Sequence, residues 1–272
     1  MTAVYIIVGI LLVLIALYLF LIAPAGKPNP QVQALDVTRF AHRGLHDSKQ
    51  GIPENSLAAY RRAVEHGFGI ELDVHVTADR GLVVMHDDTV RRMTGAEGRI
   101  CEMKLADFAD LRLEDTEEKV PCLQEVLDLV RGQVPLLIEL KADGNNAAVL
   151  GPEAFRVLDA YKGPYVVESF DPRVLVWLKK NRPQIGRGQL ATNGGPTPLV
   201  RFALRNLLAN VAARPHFIAY DHTCVQKSLG ARLCRSLFRC PRYEWTIRDP
   251  QIYKENAAKG ISNIFEGFIP EE

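Results

Sequence analysis

This chain lacks a dominant charge: 33 Lys and Arg residues stand against 32 Asp and Glu, for a net charge of +1 over 272 residues. That balance gives no reason to expect a nucleic-acid partner. It also lacks a cysteine pattern. Cys101, Cys122, Cys224, Cys234 and Cys240 are odd in number and show no C-x-x-C spacing. They read as scattered reduced thiols of a cytosolic environment rather than a disulfide framework or zinc site. There is no internal repeat and no low-complexity tract. With 47% hydrophobic and 24% charged residues, the composition is that of an ordinary globular domain.

One absence is local. No charged residue occurs from Val4 to Ala23, an apolar run long enough to cross about 30 Å of hydrocarbon as a helix. Ala23-Pro24-Ala25 resembles a signal-peptidase site, but no Lys or Arg precedes the run and it exceeds a usual signal core. We therefore expect a transmembrane helix over 4–23 and a stiff linker over 24–36 around Lys27-Pro28-Asn29-Pro30. A folded domain over 37–272 would follow. We expect a single-pass protein of the cell membrane, and the nearby positive charge, which lies after the helix, favours a domain on the cytoplasmic side.

What is present is concentrated in short motifs. Ala41-His42-Arg43-Gly44, Glu71-Leu72-Asp73 and Met85-His86-Asp87 each close a short β-branched, apolar run, at Val37–Ala41, Gly69–Val74 and Leu82–Met85. Glu139-Leu140-Lys141 closes a fourth. The set offers hard oxygen ligands for a divalent cation, cationic groups for a phosphate and two imidazoles for proton transfer, an inventory that suits hydrolysis of a phosphate ester. Glu71 and Asp73 lie two apart on a strand and so share a face. Only 12 residues, Val74 to Met85, separate Asp73 from His86, too few for a crossover helix. A hairpin about Asp79-Arg80-Gly81, or an extended return, brings the two together.

Helices are expected from Asn55 or Ser56 to His66, then at 123–130, 146–161, 172–181, 198–213 and 250–259. Further strands are expected at 135–140, 164–168, 185–190, 217–220 and 243–247. With the three early runs these make eight strands, and the alternation implies a (β/α)8 TIM barrel whose chemistry sits at the C-terminal strand ends. A charged segment at about 90–118 interrupts the repeat. Asn55 reads as a helix cap. Leu199 and Phe202, with Arg201, Arg205, Arg232, Arg235, Arg239 and Arg242, form a candidate surface for anionic headgroups.

The ordered set His42-Arg43-Gly44, Pro53-Glu54-Asn55-Ser56, Glu71-Leu72-Asp73-Val74, Val84-Met85-His86-Asp87-Asp88-Thr89, Pro121 to Leu127, Ile138-Glu139-Leu140-Lys141, Glu168-Ser169-Phe170-Asp171-Pro172 and Trp245-Thr246 resembles the glycerophosphodiester phosphodiesterases. It spans roughly residues 38 to 266. Ser56, Gln124 and the last strand, Asn263-Ile264-Phe265-Glu266, depart from the family's usual residues.

The resemblance implies metal-dependent hydrolysis of a glycerophosphodiester to an alcohol and glycerol 3-phosphate. Glu71, Asp73 and Glu139 would hold one divalent cation, Ca²⁺ or Mg²⁺. His42 and His86 would act as acid and base, and Arg43, Lys141 and Trp245 would contact substrate and phosphate. It permits attack by the glycerol 2-hydroxyl, and it places the 90–118 insertion over the mouth. A lysophospholipase D acting at the bilayer is the neighbouring alternative. A metal-dependent amidohydrolase would need His-x-His on the first strand, and a non-catalytic tethered module would be expected to have lost ligands.

Overall fold

The computed structural model describes residues 1–35, 39–195 and 197–271. Val37 and Thr38, at the start of the expected first strand, lie outside them, as does the expected 36/37 boundary. The strands are β1 (Arg39–Ala41), β2 (Gly69–Val76), β3 (Leu82–Val84), β4 (Leu136–Leu140), β5 (Tyr165–Ser169), β6 (Arg187–Ala191), β7 (Phe217–Asp221), β8 (Arg242–Ile247) and β9 (Ser262–Phe265). Parallel pairing runs β1-β2-β4-β5-β6-β7-β8-β9 and returns to β1, which closes an eight-stranded barrel. The expected eightfold architecture is present, but one of the eight expected strands lies outside the barrel wall. Leu82–Val84 pairs antiparallel to the far end of β2, with Val74 opposite Val84, and so forms a hairpin outside the barrel wall. The true eighth strand is β9. It is four residues long and holds Asn263-Ile264-Phe265 of the last strand that the resemblance names, which the count of eight apolar runs leaves out.

Alternation within the strands separates two kinds of surface. Ile70, Leu72 and Val74 of β2 point outward into the cluster formed with the surrounding helices. Glu71 and Asp73 therefore face the barrel axis. The axis is filled at its base by Phe40, Phe217 and Tyr243, whose rings stack at 4.5 and 5.8 Å. Val32 and Leu35 close that floor. The segment expected as a spacer is thus part of the base: Asn29 caps a short helix, Pro30–Ala34, and donates to the Gln184 carbonyl at 2.9 Å.

Of the expected helices, 123–130 and 172–181 match residue for residue. The expected 198–213 helix is broken into Pro198–Arg205 and Asn210–Ala213. Leu207 sits between them at φ +57° and is fully buried, so packing of that side chain overrides helical continuity. Leu229–Ser236 is a helix the apolar period did not reveal. The 90–118 segment folds around its own core of Met85, Val90, Met93, Ile100, Phe108 and Leu113.

Gly188 on β6 makes room for the basal stack, because a Cβ there would lie 2.1 Å from the Phe217 ring. Gly188→Ala should therefore destabilise the barrel by about 1–3 kcal/mol through overpacking. Thermal unfolding of the two chains checks this, and an unchanged midpoint would show that the stack yields.

Candidate active site

The mouth of the barrel is built from backbone turns that aim charged groups inward. After β1 the chain turns through Arg43 and Gly44, both at positive φ. A Cβ on Gly44 would stand 2.9 Å from the Cβ of Ala59, so only glycine lets the following helix close on the turn. This turn points the Arg43 N–H at Glu71 Oε2, at 2.9 Å. The Arg43 carbonyl in turn accepts from the N–H of Asn55, also at 2.9 Å.

Asn55 is not the helix cap. Ser56 is, accepting from the Ala59 N–H at 3.1 Å. Asn55 is buried, donates from Nδ2 to Asp73 Oδ2 at 2.9 Å and accepts from the Tyr60 hydroxyl at 2.6 Å. It holds Asp73 in place.

The strand register sets a row of acids. Asp73 of β2 lies beside Glu139 of β4, and Glu139 beside Glu168 of β5. One oxygen from each of Glu71, Asp73 and Glu139 falls within 4.8 Å of the others, and all three residues are buried. Two cationic groups face them. Lys141 Nζ lies 3.4 Å from both Asp73 Oδ1 and Glu139 Oε1, and Arg43 Nε lies 3.6 Å from Asp73 Oδ2.

The acids respond unequally. Burial, then the charges of its neighbours, pushes Glu71 and Glu168 well above the carboxylate range, and burial lifts Glu139 to about 7. Asp73 stays below its ordinary value against the effect of burial, because Lys141, His86 and Arg43 surround it and Asn55 donates to it. Four carboxyls against two cations leave an excess of negative charge, and Glu168 Oε2 has no hydrogen-bond partner among the described residues. Such an all-oxygen donor set fits a hard divalent cation.

Each imidazole is held at Nδ1 by its own carboxylate. His42 Nδ1 lies 2.5 Å from Glu266 Oε2, and Arg248 steadies Glu266 at 3.0 Å. His42 Nε2 is then left facing Glu71, 4.0 Å away. His86 Nδ1 lies 2.7 Å from Asp87 Oδ1, and Asp87 is gripped by Arg92 at 2.6 Å. Arg92 also donates to Glu54, which takes a second hydrogen bond from Arg43 at 2.9 Å. Burial lowers both imidazoles below their usual value. Against burial, Glu266 is pulled to about 2 by its hydrogen bond with His42 and the charge of Arg248, and Asp87 to about 2 by its hydrogen bonds with Arg92 and His86.

A cavity of about 270 Å³ opens between these groups, walled by Trp245, Phe170 and Leu190 and floored by Glu71, Glu139 and Glu168. Trp245 meets Phe170 edge to face at 5.7 Å. The structure thus brings His42, His86, Arg43, Lys141, Trp245, Glu71, Asp73 and Glu139 to one end of the barrel. Sequence reasoning missed Glu168, Glu266, Glu54 and Asp87 as parts of the site. Glu54, Asp87 and Glu168 lay inside the quoted motifs. For Glu266 the only signal was its place at the end of the last strand.

With this geometry in hand, the comparisons decide the family. A model of the glycerophosphoryl diester phosphodiesterase family matches residues 42–254. The chain belongs to that family. Among curated relatives, the glycerophosphodiester phosphodiesterase 1 of Homo sapiens is 32% identical over 190 residues, covering 63% of this chain and 54% of the relative. A glycerophosphodiester phosphodiesterase of Caldanaerobacter subterraneus is 35% identical over 162 residues, 55% of this chain and 65% of that one. The chain spans about half the length of the mammalian relatives it matches.

Among solved structures, an Oleispira antarctica phosphodiesterase in complex with the product sn-glycerol-3-phosphate superposes with a TM-score of 0.70 at 23% identity, covering 87% of this chain and 94% of that one. The Thermotoga maritima glycerophosphodiester phosphodiesterase gives 0.63 at 24%, covering 85% and 94%. Both likenesses establish the barrel. The family match ends before Glu266, the residue that orients the first imidazole of this family member.

Glu266→Gln should lower the titration midpoint of His42, because a neighbouring carboxylate favours the imidazolium and the amide does not. Imidazole NMR of the labelled chain measures it. An unmoved midpoint would mean that Glu266 does not govern this ring.

Proposed function

We propose that the chain is a metal-dependent phosphoric diester hydrolase that cleaves glycerophosphodiesters to an alcohol and glycerol 3-phosphate. The observation that carries this reading is the row of buried acids lying across one cavity from two carboxylate-held imidazoles. Glu71, Asp73 and Glu139 hold one divalent cation, Ca²⁺ or Mg²⁺. Bound there, the cation supplies Lewis-acid polarisation of a phosphoryl oxygen and neutralises negative charge.

The chain's own groups do the rest. Arg43 and Lys141 stabilise the charge that builds on the phosphoryl oxygens in the transition state. Glu266 and Asp87 hold Nδ1 of His42 and His86, so both rings present Nε2 to the cavity. One ring takes the proton of the attacking hydroxyl and the other returns a proton to the leaving alcohol. Where the glycerol 2-hydroxyl attacks, the cyclic phosphate formed is then opened by water, with the rings exchanging roles, to glycerol 3-phosphate. The lowered imidazole values suit the base, and the carboxylate partners support the imidazolium it becomes. Trp245 and Phe170 wall the cavity against water.

The helix Thr2–Ile22 is read as a single membrane span, with the barrel domain, residues 37–272, on the cytoplasmic side that Lys27 favours. A second reading, a lysophospholipase D acting on membrane lipid, is favoured by a neighbouring cavity of about 680 Å³. It begins at Glu139 and Lys141, passes Phe170 with Asp171 and Arg173 at its side, and ends on Val200, Ala203 and Leu204, an apolar end that suits an acyl chain.

Purified full-length chain should hydrolyse glycerophosphocholine, lose activity to chelator and regain it with Ca²⁺ or Mg²⁺. His42→Ala or His86→Ala should each lower kcat by about 10²–10⁴-fold. The double variant should lose less than the product of the two losses. Full activity after exhaustive chelation, or a near-normal rate in either single variant, would remove the corresponding group from the mechanism.

A further inference from the structure

The N-terminal helix is clamped to the side of the barrel. Arg214 donates to the carbonyls of Phe20 and Ala23, at 2.8 Å each, and its guanidinium lies 4.6 Å from the centre of the Phe20 ring. Asn210 Nδ2 donates to the Ile22 carbonyl at 2.8 Å, and the Cys234 thiol reaches the same oxygen at 3.3 Å. The barrel thereby satisfies carbonyls that a helix C-terminus leaves unpaired, with a cation where the helix dipole favours one. Ile22 is fully buried, and Tyr18 and Leu19 pack beside it.

The clamp also fixes a direction. The Ala25 N–H bonds to the Pro215 carbonyl at the base of the barrel, two residues before β7 begins. Ile22 lies against Asn210 and Cys234. Higher up, a Cβ on Gly230 would stand 2.7 Å from the Asn206 carbonyl and 3.3 Å from the Tyr18 hydroxyl. Helix Leu229–Ser236 descends from the mouth, after β7, to the base, before β8. Gly230 is therefore nearer the mouth than Cys234. Read from Ala25 back through Ile22 to Tyr18, the chain climbs from base to mouth, and the rest of the apolar helix continues past it.

No polar spacer separates helix from domain. Phe20 is 58% exposed at the height of the clamp itself, so placing the apolar helix in lipid draws the rim above the clamp to the same layer. At that rim Leu199 is 76%, Phe202 58% and Leu229 49% exposed. Phe202 lies one helical turn mouthward of Asn206, whose N–H bonds to its carbonyl. Arg201 and Lys227 are exposed beside them. Two of the arginines expected to share this role, Arg235 and Arg242, do not. Arg235 donates to the Lys259 carbonyl, and Arg242 opens β8 paired to Glu244, both at the base.

We infer that the helix holds the barrel mouth-down, so that Leu199, Phe202 and Leu229 sit in the boundary between headgroups and acyl chains of the bilayer. The active site then opens onto the lipid surface rather than the aqueous phase. This rests on the reading of Thr2–Ile22 as a membrane span.

The test reconstitutes the full chain in phosphatidylcholine–phosphatidylglycerol vesicles with and without brominated acyl chains. Three single variants, Phe202→Trp, Leu229→Trp and the basal Lys180→Trp, are compared with the unsubstituted chain. The emission added by tryptophan at 202 and 229 should be blue-shifted and strongly quenched by bromine, and that added at 180 should be neither. Equal quenching at all three positions, in chains that float with the vesicles, would overturn the orientation and leave the membrane span standing. A chain that does not float with the vesicles would overturn both. The readout is independent of catalysis, so an inactive preparation still decides it.

Discussion

Four carboxyl groups face one another at the ends of neighbouring strands with two cationic side chains between them, and the rest of the site follows from that imbalance. Parallel pairing of β2, β4 and β5 forces Asp73, Glu139 and Glu168 into one row, and the two-residue repeat adds Glu71 to the same face. Like charges this close and this dry cannot all ionise without compensation. Arg43 and Lys141 offset part of the charge and favour ionised Asp73, whereas Glu71, Glu139 and Glu168 are driven toward the protonated form. A divalent cation held by Glu71, Asp73 and Glu139 would remove the conflict.

The same economy of charge governs the second layer of the site. Glu266 with Arg248, and Asp87 with Arg92, are acid–base pairs whose free valence is used to hold an imidazole. Glu54 ties Arg92 to Arg43, so the insertion that carries Arg92 is linked through one carboxylate to the arginine beside Asp73. These contacts join the loop after β1, the end of the β2–β3 hairpin and the insertion into a single network. A change at Glu54 would therefore be felt at both rings' surroundings.

The sequence made the site more legible than its supports. Strand-terminal acids and histidines stood out because charged groups at the end of apolar runs are costly unless they serve a purpose, and the Asp73–His86 spacing forced a hairpin. Asn55 was misread as a cap because Asn and Ser are both good cap residues and only the packing of Tyr60 shows which one does it. Leu82–Val84 reads as a barrel strand because its apolar run gives no sign of direction, and the short β9, named only by the resemblance, drops out of a count made on apolar runs. The break at Leu207 and the descent of the Arg235 region to the base are tertiary outcomes. In both cases burial and chain direction decide what local propensity leaves open.

The central claim is that Glu71, Asp73 and Glu139 form one site for a divalent cation. Titration calorimetry of the full chain with Ca²⁺ and Mg²⁺, repeated in buffers of different ionisation enthalpy, tests it most directly. One ion should bind per chain with release of protons, since burial and neighbouring charge drive Glu71 and Glu139 toward the protonated form without it. Glu71→Gln with Glu139→Gln should abolish the binding. Saturable binding that survives in the double variant, or no binding by the unsubstituted chain, would contradict the claim.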